Sequence, residues 1–191
     1  TLANMRKLSE DGHSLGFHGY KIGQKVPDLL SSLGAEQFVA HEIDPEREAA
    51  RKAGLSMNSF AYPSSARTWA TDRTLLKELR RLRTGQLSGR DPLVSPLKNS
   101  DSAFISSVET KTTRVIAASC IMSRSDVCCM EICEALERAT AKDETLALYT
   151  HAIEATGDVA ADPHNVTLPQ LVKILSKARA LGMSIVGFDE L

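Results

Sequence analysis

The amino-acid sequence predicts an α/β fold built on a parallel sheet or barrel. Short apolar segments typical of strands alternate with helical patterns of about ten to fifteen residues, the arrangement of βαβ units. The length of 191 residues fits one domain, and 42% apolar residues suffice for a full core. A net charge of −1 favours no nucleic-acid partner. No apolar run approaches the roughly 18 residues of a membrane-spanning helix.

The first half of the chain predicts three helices and two strands. "TLANMRKLSEDG" has a helical apolar stripe, and "HSLGFHGY" is a short extended segment. "DPEREAARKAG" predicts a helix with Asp44 as N-cap and Pro45 at its first position. "LSMNSFAYP" predicts a strand that Pro63 closes. "TDRTLLKELRRLR" predicts the next helix, with the basic run Lys77–Arg83 on a solvated face.

The second half continues the alternation. "TRVIAAS" and "ETLALYTH" predict strands on either side of the helix "DVCCMEICEALERAT". "TLPQLVKILSKARALG" has a capping box from Thr167 to Gln170, and "MSIVGFDEL" predicts a last strand. The apolar stripe of this last helix comprises Leu168, Leu171, Val172 and Leu175.

The cysteines identify no redox compartment. Cys128, Cys129 and Cys133 lie on one predicted helix, Cys120 precedes it, and no CxxC pair occurs. Buried, inert thiols are expected, with a disulfide or a metal role as the alternatives.

Three groups of candidate site residues follow predicted strands. His18 follows "SLGF", Tyr62 and Pro63 follow "MNSFA", and His151 follows "LALYT". In parallel α/β folds the carboxyl ends of the strands carry the chemistry. An imidazole there can act as general base, general acid or metal ligand, or can be a half-buried ring bonded to a loop carbonyl. We therefore expect His18 and His151 to lie in one cleft.

The remaining histidines favour structural or surface positions. His13 follows the Gly12 turn and is expected to be structural, with its ring bonded to backbone, whereas His41 lies on a polar, helical segment and is expected to be solvated. His164 lies in "DVAADPHNVT" with Asp158 and Asp162, which is a surface loop, the lip of a site or a metal cluster.

Four segments, in order, resemble the polysaccharide deacetylase family, the chitooligosaccharide-deacetylase-like carbohydrate esterases. "GHSLGFHGY" resembles the family's "GHEIGFHGY" segment, and "LALYTHAI" resembles the late strand that ends in the catalytic histidine. The other two segments are "EIDPEREAARKAGLSMNSFAYPSSAR", similar to the helix, strand and "FAYP" loop, and "TLPQLVKILSKARALGMSIVGFDEL", similar to the closing helix and strand.

The resemblance implies a distorted (β/α) barrel of about seven parallel strands and a single catalytic domain over residues 1–191. It implies metal-assisted removal of N-acetyl or O-acetyl groups from a carbohydrate, with a divalent metal, usually zinc. Carried over, His18 is a metal ligand and His151 is the catalytic histidine. Tyr20, Tyr62 and Pro63 line the substrate groove.

Two departures from the family pattern change these expectations. Ile22 stands where the family has its second metal histidine, and isoleucine cannot ligate a metal. Eleven residues precede Gly12, where the family has a strand ending in paired aspartates, so we expect the first βαβ unit to be missing. The alternatives to a deacetylase are a glycan-binding barrel without activity and a related C–N hydrolase of a small amide. An extracellular, periplasmic or cell-surface location is suggested by the family alone.

Overall fold

The computed structural model describes residues 2–19, 26–85, 96–121, 126–157, 160–162 and 164–191. They form a mixed α/β fold with parallel strands. The residues cluster into two compact units. Unit 1 comprises Thr1–Thr84, Arg114–Ile116 and Val186–Leu191, and unit 2 comprises Gly85–Thr113 and Ala117–Ile185. No helix in the described ranges is long and apolar enough to cross a membrane.

Unit 1 is built on three parallel strands in the order β1–β2–β3, with helices between them. Its elements are α1 (Leu2–Glu10), β1 (Leu15–Phe17), α2 (Val26–Glu42), α3 (Asp44–Lys52), β2 (Met57–Ala61), α4 (Trp69–Leu75) and β3 (Arg81–Gly85). The predictions of β1 and β2 are confirmed. β1 and β2 approach closely because Gly16 has no side chain: a Cβ there would lie 2.6 Å from Ser59 Oγ. Among the described strands, β1 pairs with β2 on one side and with none on the other.

Two helix predictions in unit 1 need correction. The helix predicted from Thr71 to Arg83 ends at Leu75, and Arg81–Gly85 is a strand that pairs with β2. Leu82 is therefore wholly buried, and the basic run is not one solvated helix face. Helical spacing of Leu75, Leu79 and Leu82 fits a helix stripe, but pairing with β2 decides the local structure. In α3 the N-cap is Ile43, one residue before Asp44.

The core of unit 1 is aromatic where β2 ends. The Phe60 ring packs edge-on against Phe38 of α2, with centroids 6.5 Å apart, and against Tyr62, at 5.0 Å. All three side chains are buried. This packing fixes the carboxyl end of β2, where the candidate site lies.

Unit 2 contains parallel and antiparallel strand pairs. Its elements are β4 (Phe104–Ser106), α5 (Ser107–Thr110), β5 (Val115–Cys120, which begins in unit 1), α6 (Asp126–Lys142), β6 (Glu144–Leu146), β7 (Leu148–Tyr149), β8 (Ile153–Glu154), β9 (Val166–Thr167) and α7 (Leu168–Ala180). β5 pairs in parallel with β7, and β8 with β9, whereas β4 and β6 are antiparallel. The predicted strand "ETLALYTH" is thus two strands, β6 and β7. The barrel of about seven parallel strands stays a prediction.

The C-terminal predictions are confirmed in part. α7 begins with the predicted capping box of Thr167 and Gln170. Its buried residues are Gln170, Ile174 and Ala178, whereas Leu168, Val172 and Leu175 of the predicted stripe are exposed. The predicted last strand is wrong, because residues 183–191 form no strand in the structure.

Candidate functional site

The ring of His18 is held at the carboxyl ends of β1 and β2. His18 directly follows β1, and its Nδ1 lies 2.7 Å from the carbonyl oxygen of Ala61, the last residue of β2. Because a carbonyl oxygen can only accept a hydrogen bond, Nδ1 carries the hydrogen. In the neutral ring the lone pair is then on Nε2. Metal-ligating histidines are oriented in this same way, by donation from the other ring nitrogen.

The backbone after β1 is anchored to α3. The N–H groups of His18 and Gly19 both donate to Glu46 Oε2, at 3.3 and 3.0 Å. Gly19 has a φ of 108°, a conformation that side chains rarely adopt. A Cβ on Gly19 would lie 3.5 Å from Glu42 Oε2 and 3.6 Å from Pro63 Cγ. Glu46 therefore fixes the direction in which His18 leaves the strand.

A buried glutamate lies beside this turn. Glu42, the last residue of α2, has only 2% of its surface exposed, and its Oε1 lies 2.8 Å from His41 Nδ1. Glutamate is rarely buried to this extent unless it is paired. Because Glu42 approaches Gly19, it brings a carboxylate next to the residue that follows His18. The expectation that His41 is a solvated residue is corrected, because this ring is half-buried and bonded.

The loop after β2 is held by a buried polar network. The Tyr62 hydroxyl donates to Asp72 Oδ1, at 2.8 Å, and lies 3.3 Å from Thr71 Oγ1. Arg67 donates to both carboxylate oxygens of Asp72. Burial is the main cause that raises the pKa of Tyr62 above its ordinary value, so its hydroxyl keeps its proton. The segment between Tyr62 and Arg67 is therefore fixed at both ends.

This loop contains strained backbone. Ser64 and Ser65 have φ values of 52° and 58°, in the left-handed region that favours glycine. Such conformations cost free energy and persist where the surrounding structure imposes them, often in binding loops. Here the network of Tyr62, Asp72 and Arg67 imposes them, directly after Pro63.

The second candidate histidine lies in unit 2. His151 follows β7; its N–H donates to the His164 carbonyl at 3.2 Å, and its ring lies 5.3 Å from that of His164. The Tyr149 ring lies 5.9 Å away on an edge contact. The His164 ring nitrogen Nδ1 and its backbone N–H both contact Asp162 Oδ1, at 3.1 and 2.8 Å. Unit 2 thus brings His151, His164 and Asp162 together on an exposed loop.

The carboxylates of Glu154 and Asp162 accept hydrogen bonds from the backbone of that loop. The Glu154 carboxylate accepts from the backbone of Ala161 and Asp162 and from the amide of Asn165. The N–H of Ala161 is the main cause that lowers the pKa of Glu154, and the N–H of His164 is the main cause that lowers the pKa of Asp162. Both side chains therefore stay ionised to a lower pH than an unperturbed carboxylate of the same type.

The predicted site residues fall into three classes. His18, Tyr62 and Pro63 belong to unit 1, where the side chains of Tyr62 and Pro63 are buried, and their role in lining a substrate groove stays a prediction. His151 belongs to unit 2, so the cleft shared with His18 stays a prediction. Tyr20, Ile22 and Asp158 lie outside the described residues, as does the Cys128 side chain. Cys129 is buried, whereas Cys120 and Cys133 are half-buried.

The described residues present an incomplete set of metal ligands at the unit 1 site. No three His, Cys, Asp or Glu side chains in the described ranges are grouped so that they could hold a metal ion. The His18 ring is oriented as a ligand would be, while Glu46 is occupied by two backbone N–H groups. The residues described here do not by themselves form a complete zinc site.

Sequence reasoning missed the carboxylates of the site. Glu42 and Glu46 lie in helical segments without a recognisable motif, and their spacing from His18 carries no signal. The ion pair of Arg67 and Asp72 was detectable in principle. The two residues lie five positions apart, on either side of the α4 N-cap Thr68, and this spacing brings both side chains to the first turn of the helix.

No family model, no curated protein and no solved structure matches the chain.

Proposed function

We propose that this protein is a carbohydrate-active hydrolase that removes acetyl groups from N-acetylated or O-acetylated sugars, with His18 in its reaction centre. The observation that carries the proposal is the hydrogen bond from His18 Nδ1 to the Ala61 carbonyl. It fixes the ring at the carboxyl ends of two parallel strands, where α/β enzymes have their sites. The sequence resemblance to polysaccharide deacetylases supports the choice of substrate.

His18 has the chemistry that such a hydrolysis needs. Water attacks the acetyl carbonyl carbon, the bond to the sugar nitrogen or oxygen breaks, the sugar amine or alcohol is the leaving group, and acetate is the second product. The Nε2 lone pair takes a proton from the attacking water, and the imidazolium returns a proton to the leaving sugar atom. Neither step requires the ring to turn, because Nδ1 remains bonded to Ala61.

A divalent metal remains part of the proposal as a prediction. Bound zinc would polarise the acetyl carbonyl and activate water. His18 Nε2 is the atom of the described site that would bind it, and the ring would then act as a metal ligand in place of the general base described above. Since the described residues supply no group of three ligands, no step is assigned to the metal.

Acetate release from acetylated oligosaccharides tests the proposal. The substrates are a tetramer of N-acetylglucosamine and an acetylated xylan, each with and without added zinc. His18→Asn is the informative variant, because its amide can still donate to Ala61 while Nε2 is lost. We expect activity in the wild type and a loss of about 100-fold or more in this variant.

His13→Asn is the matched control. His13 is exposed and lies five positions before His18, outside the contacts of the site. We expect it to retain full activity. An acetate-release activity of His18→Asn equal to that of the wild type would contradict the role of His18.

A glycan-binding protein without activity is the second candidate. The highly exposed side chain of Trp69 at the start of α4 favours binding, and Ile22 stands at the second metal-histidine position of the resembled family. Saturable sugar binding without acetate release, at any zinc concentration, would favour this candidate.

A further inference from the structure

Among the Phe, Tyr and Trp side chains of unit 1 whose burial the structure describes, that of Trp69 is the most exposed. It is the single tryptophan of the chain, and 73% of its surface is exposed. Tryptophan is usually well buried, since its ring carries a large apolar area. A ring this large in solvent has a free face that a ligand can cover.

The ring is presented on a rigid support. Trp69 is the first residue of α4, directly after the N-cap Thr68, whose side chain forms a reciprocal capping box with Thr71. Asp72, one turn further, is bonded to Tyr62 and Arg67. The support of Trp69 is therefore the same network that fixes the loop after β2.

Arg73 adds a cation to this surface. Its guanidinium carbon lies 5.4 Å from the Trp69 ring centroid, within the range of a cation–π contact. Arg73 lies one turn after Trp69 and limits the motion of the ring. Its N–H groups also offer donors beside the ring.

Trp69 lies within reach of the His18 region. Trp69 lies six positions after Pro63, so the two are no more than about 22 Å apart whatever path the chain takes. Pro63 approaches the Cβ direction of Gly19, next to His18. One oligosaccharide of several rings is long enough to contact both places.

The surroundings of Trp69 favour a sugar over a protein partner. Protein-binding patches are contiguous apolar areas of several hundred square ångströms. The other exposed large apolar residues described in unit 1 lie outside residues 62–75: Leu2, Leu8 and Val186. An exposed aromatic ring with the Arg73 guanidinium beside it matches a sugar, which has an apolar face and hydroxyls at its edge.

We propose that Trp69, with Arg73, is a stacking platform that binds a sugar ring of an oligosaccharide at a distance from the reacting acetyl group. This site deepens the proposed function and rests on it for the choice of ligand. The platform adds affinity for long substrates and none for monosaccharides. Trp69 is thus a binding residue and takes no part in bond cleavage.

The fluorescence of Trp69 tests this directly, because no other tryptophan contributes. The purified protein is titrated with the monomer, dimer and tetramer of N-acetylglucosamine and with the matching glucose tetramer. We expect a saturable change in emission with at least one of the tetramers and none with the monomer. Calorimetry then compares wild type with Trp69→Ala, Trp69→Phe and the control Val108→Ala, an exposed apolar residue of unit 2.

We expect about tenfold weaker tetramer binding in Trp69→Ala, near-normal binding in Trp69→Phe, and no change in the control. Tetramer binding that leaves Trp69 emission unchanged, equal affinity in Trp69→Ala, or no tetramer binding at all would overturn the platform. An emission shift that follows protein concentration without sugar would also overturn it, since Trp69 would then cover a protein surface.

The failures of the two proposals are distinguishable. Tetramer binding at Trp69 without acetate release would contradict the proposed hydrolase activity and would support the stacking platform. Acetate release with an unchanged KM for the tetramer in Trp69→Ala would contradict the stacking platform and would support the hydrolase activity.

Discussion

Replacing Tyr62 by phenylalanine removes one buried hydrogen bond and keeps the ring. Tyr62 is 1% exposed, and its hydroxyl donates to Asp72 Oδ1 at 2.8 Å. A hydrogen bond to a charged group contributes about 1.5–3 kcal/mol. Asp72 keeps its hydrogen bonds from Arg67, so its carboxylate still has a partner. We therefore expect the free energy of unfolding to fall by about 1.5 kcal/mol, at the lower end of that range.

Asp72→Ala should be more damaging than Tyr62→Phe. It leaves the buried Tyr62 hydroxyl and the Arg67 guanidinium without their shared acceptor, so we expect a loss of about 3 kcal/mol. Urea unfolding followed by circular dichroism gives the free energies. Hydrogen exchange of the Tyr62 amide, which donates to the Arg83 carbonyl, reports on unit 1 by itself.

Tyr149→Phe is the matched control in unit 2. Tyr149 is half-buried, so water can replace a lost partner, and we expect a change under about 0.5 kcal/mol. A Tyr62→Phe protein as stable as the wild type would refute the network, and with it the explanation for the strained loop after β2.

Three further predictions concern stability. Because burial raises the pKa of Tyr62, the unfolded chain loses the hydroxyl proton from about pH 10 while the folded protein keeps it. The free energy of unfolding should therefore fall as the pH rises above about 10, and it should fall less in Tyr62→Phe. Urea titrations at pH 8 and pH 11 measure this difference. Arg138→Leu leaves the Glu144 carboxylate without its guanidinium and removes the cation from the Phe104 ring, 4.0 Å away, so thermal and urea unfolding should show a loss of about 2 kcal/mol. Ser64→Gly should stabilise the protein by about 0.5 kcal/mol, because glycine adopts a φ of 52° without strain; a loss of stability would contradict the backbone assignment.

The sequence predicted elements whose pattern is local. β1, β2 and α6 follow from apolar segments between glycine, proline and capping residues, and the capping box of α7 was read from Thr167 and Gln170. These signals hold because turns and caps depend on neighbouring residues in the chain.

Elements that depend on distant partners were not predictable. Leu75, Leu79 and Leu82 have helical spacing, and only pairing with β2 makes Arg81–Gly85 a strand. The closing segment has strand-like residues, yet it forms no strand in the structure; instead a Cβ on Gly187 would lie 2.1 Å from Ser14 Oγ. Packing of this kind has no signature in a single sequence.

The candidate site was predicted in the same uneven way. The position of His18 at a strand end follows from local pattern, and the structure adds its bond to Ala61. Glu42 was not predicted, because its approach to Gly19 depends on how α2 packs against the strand ends.

Nitrogen NMR of the His18 ring tests the central claim most directly. The hydrogen bond to Ala61 requires the neutral ring to carry its hydrogen on Nδ1, so Nε2 should show the resonance of an unprotonated nitrogen. Addition of the N-acetylglucosamine tetramer should shift Nε2 and leave Nδ1 nearly unchanged. A ring protonated on Nε2, or an Nε2 resonance that bound tetramer does not move, would contradict the role of His18.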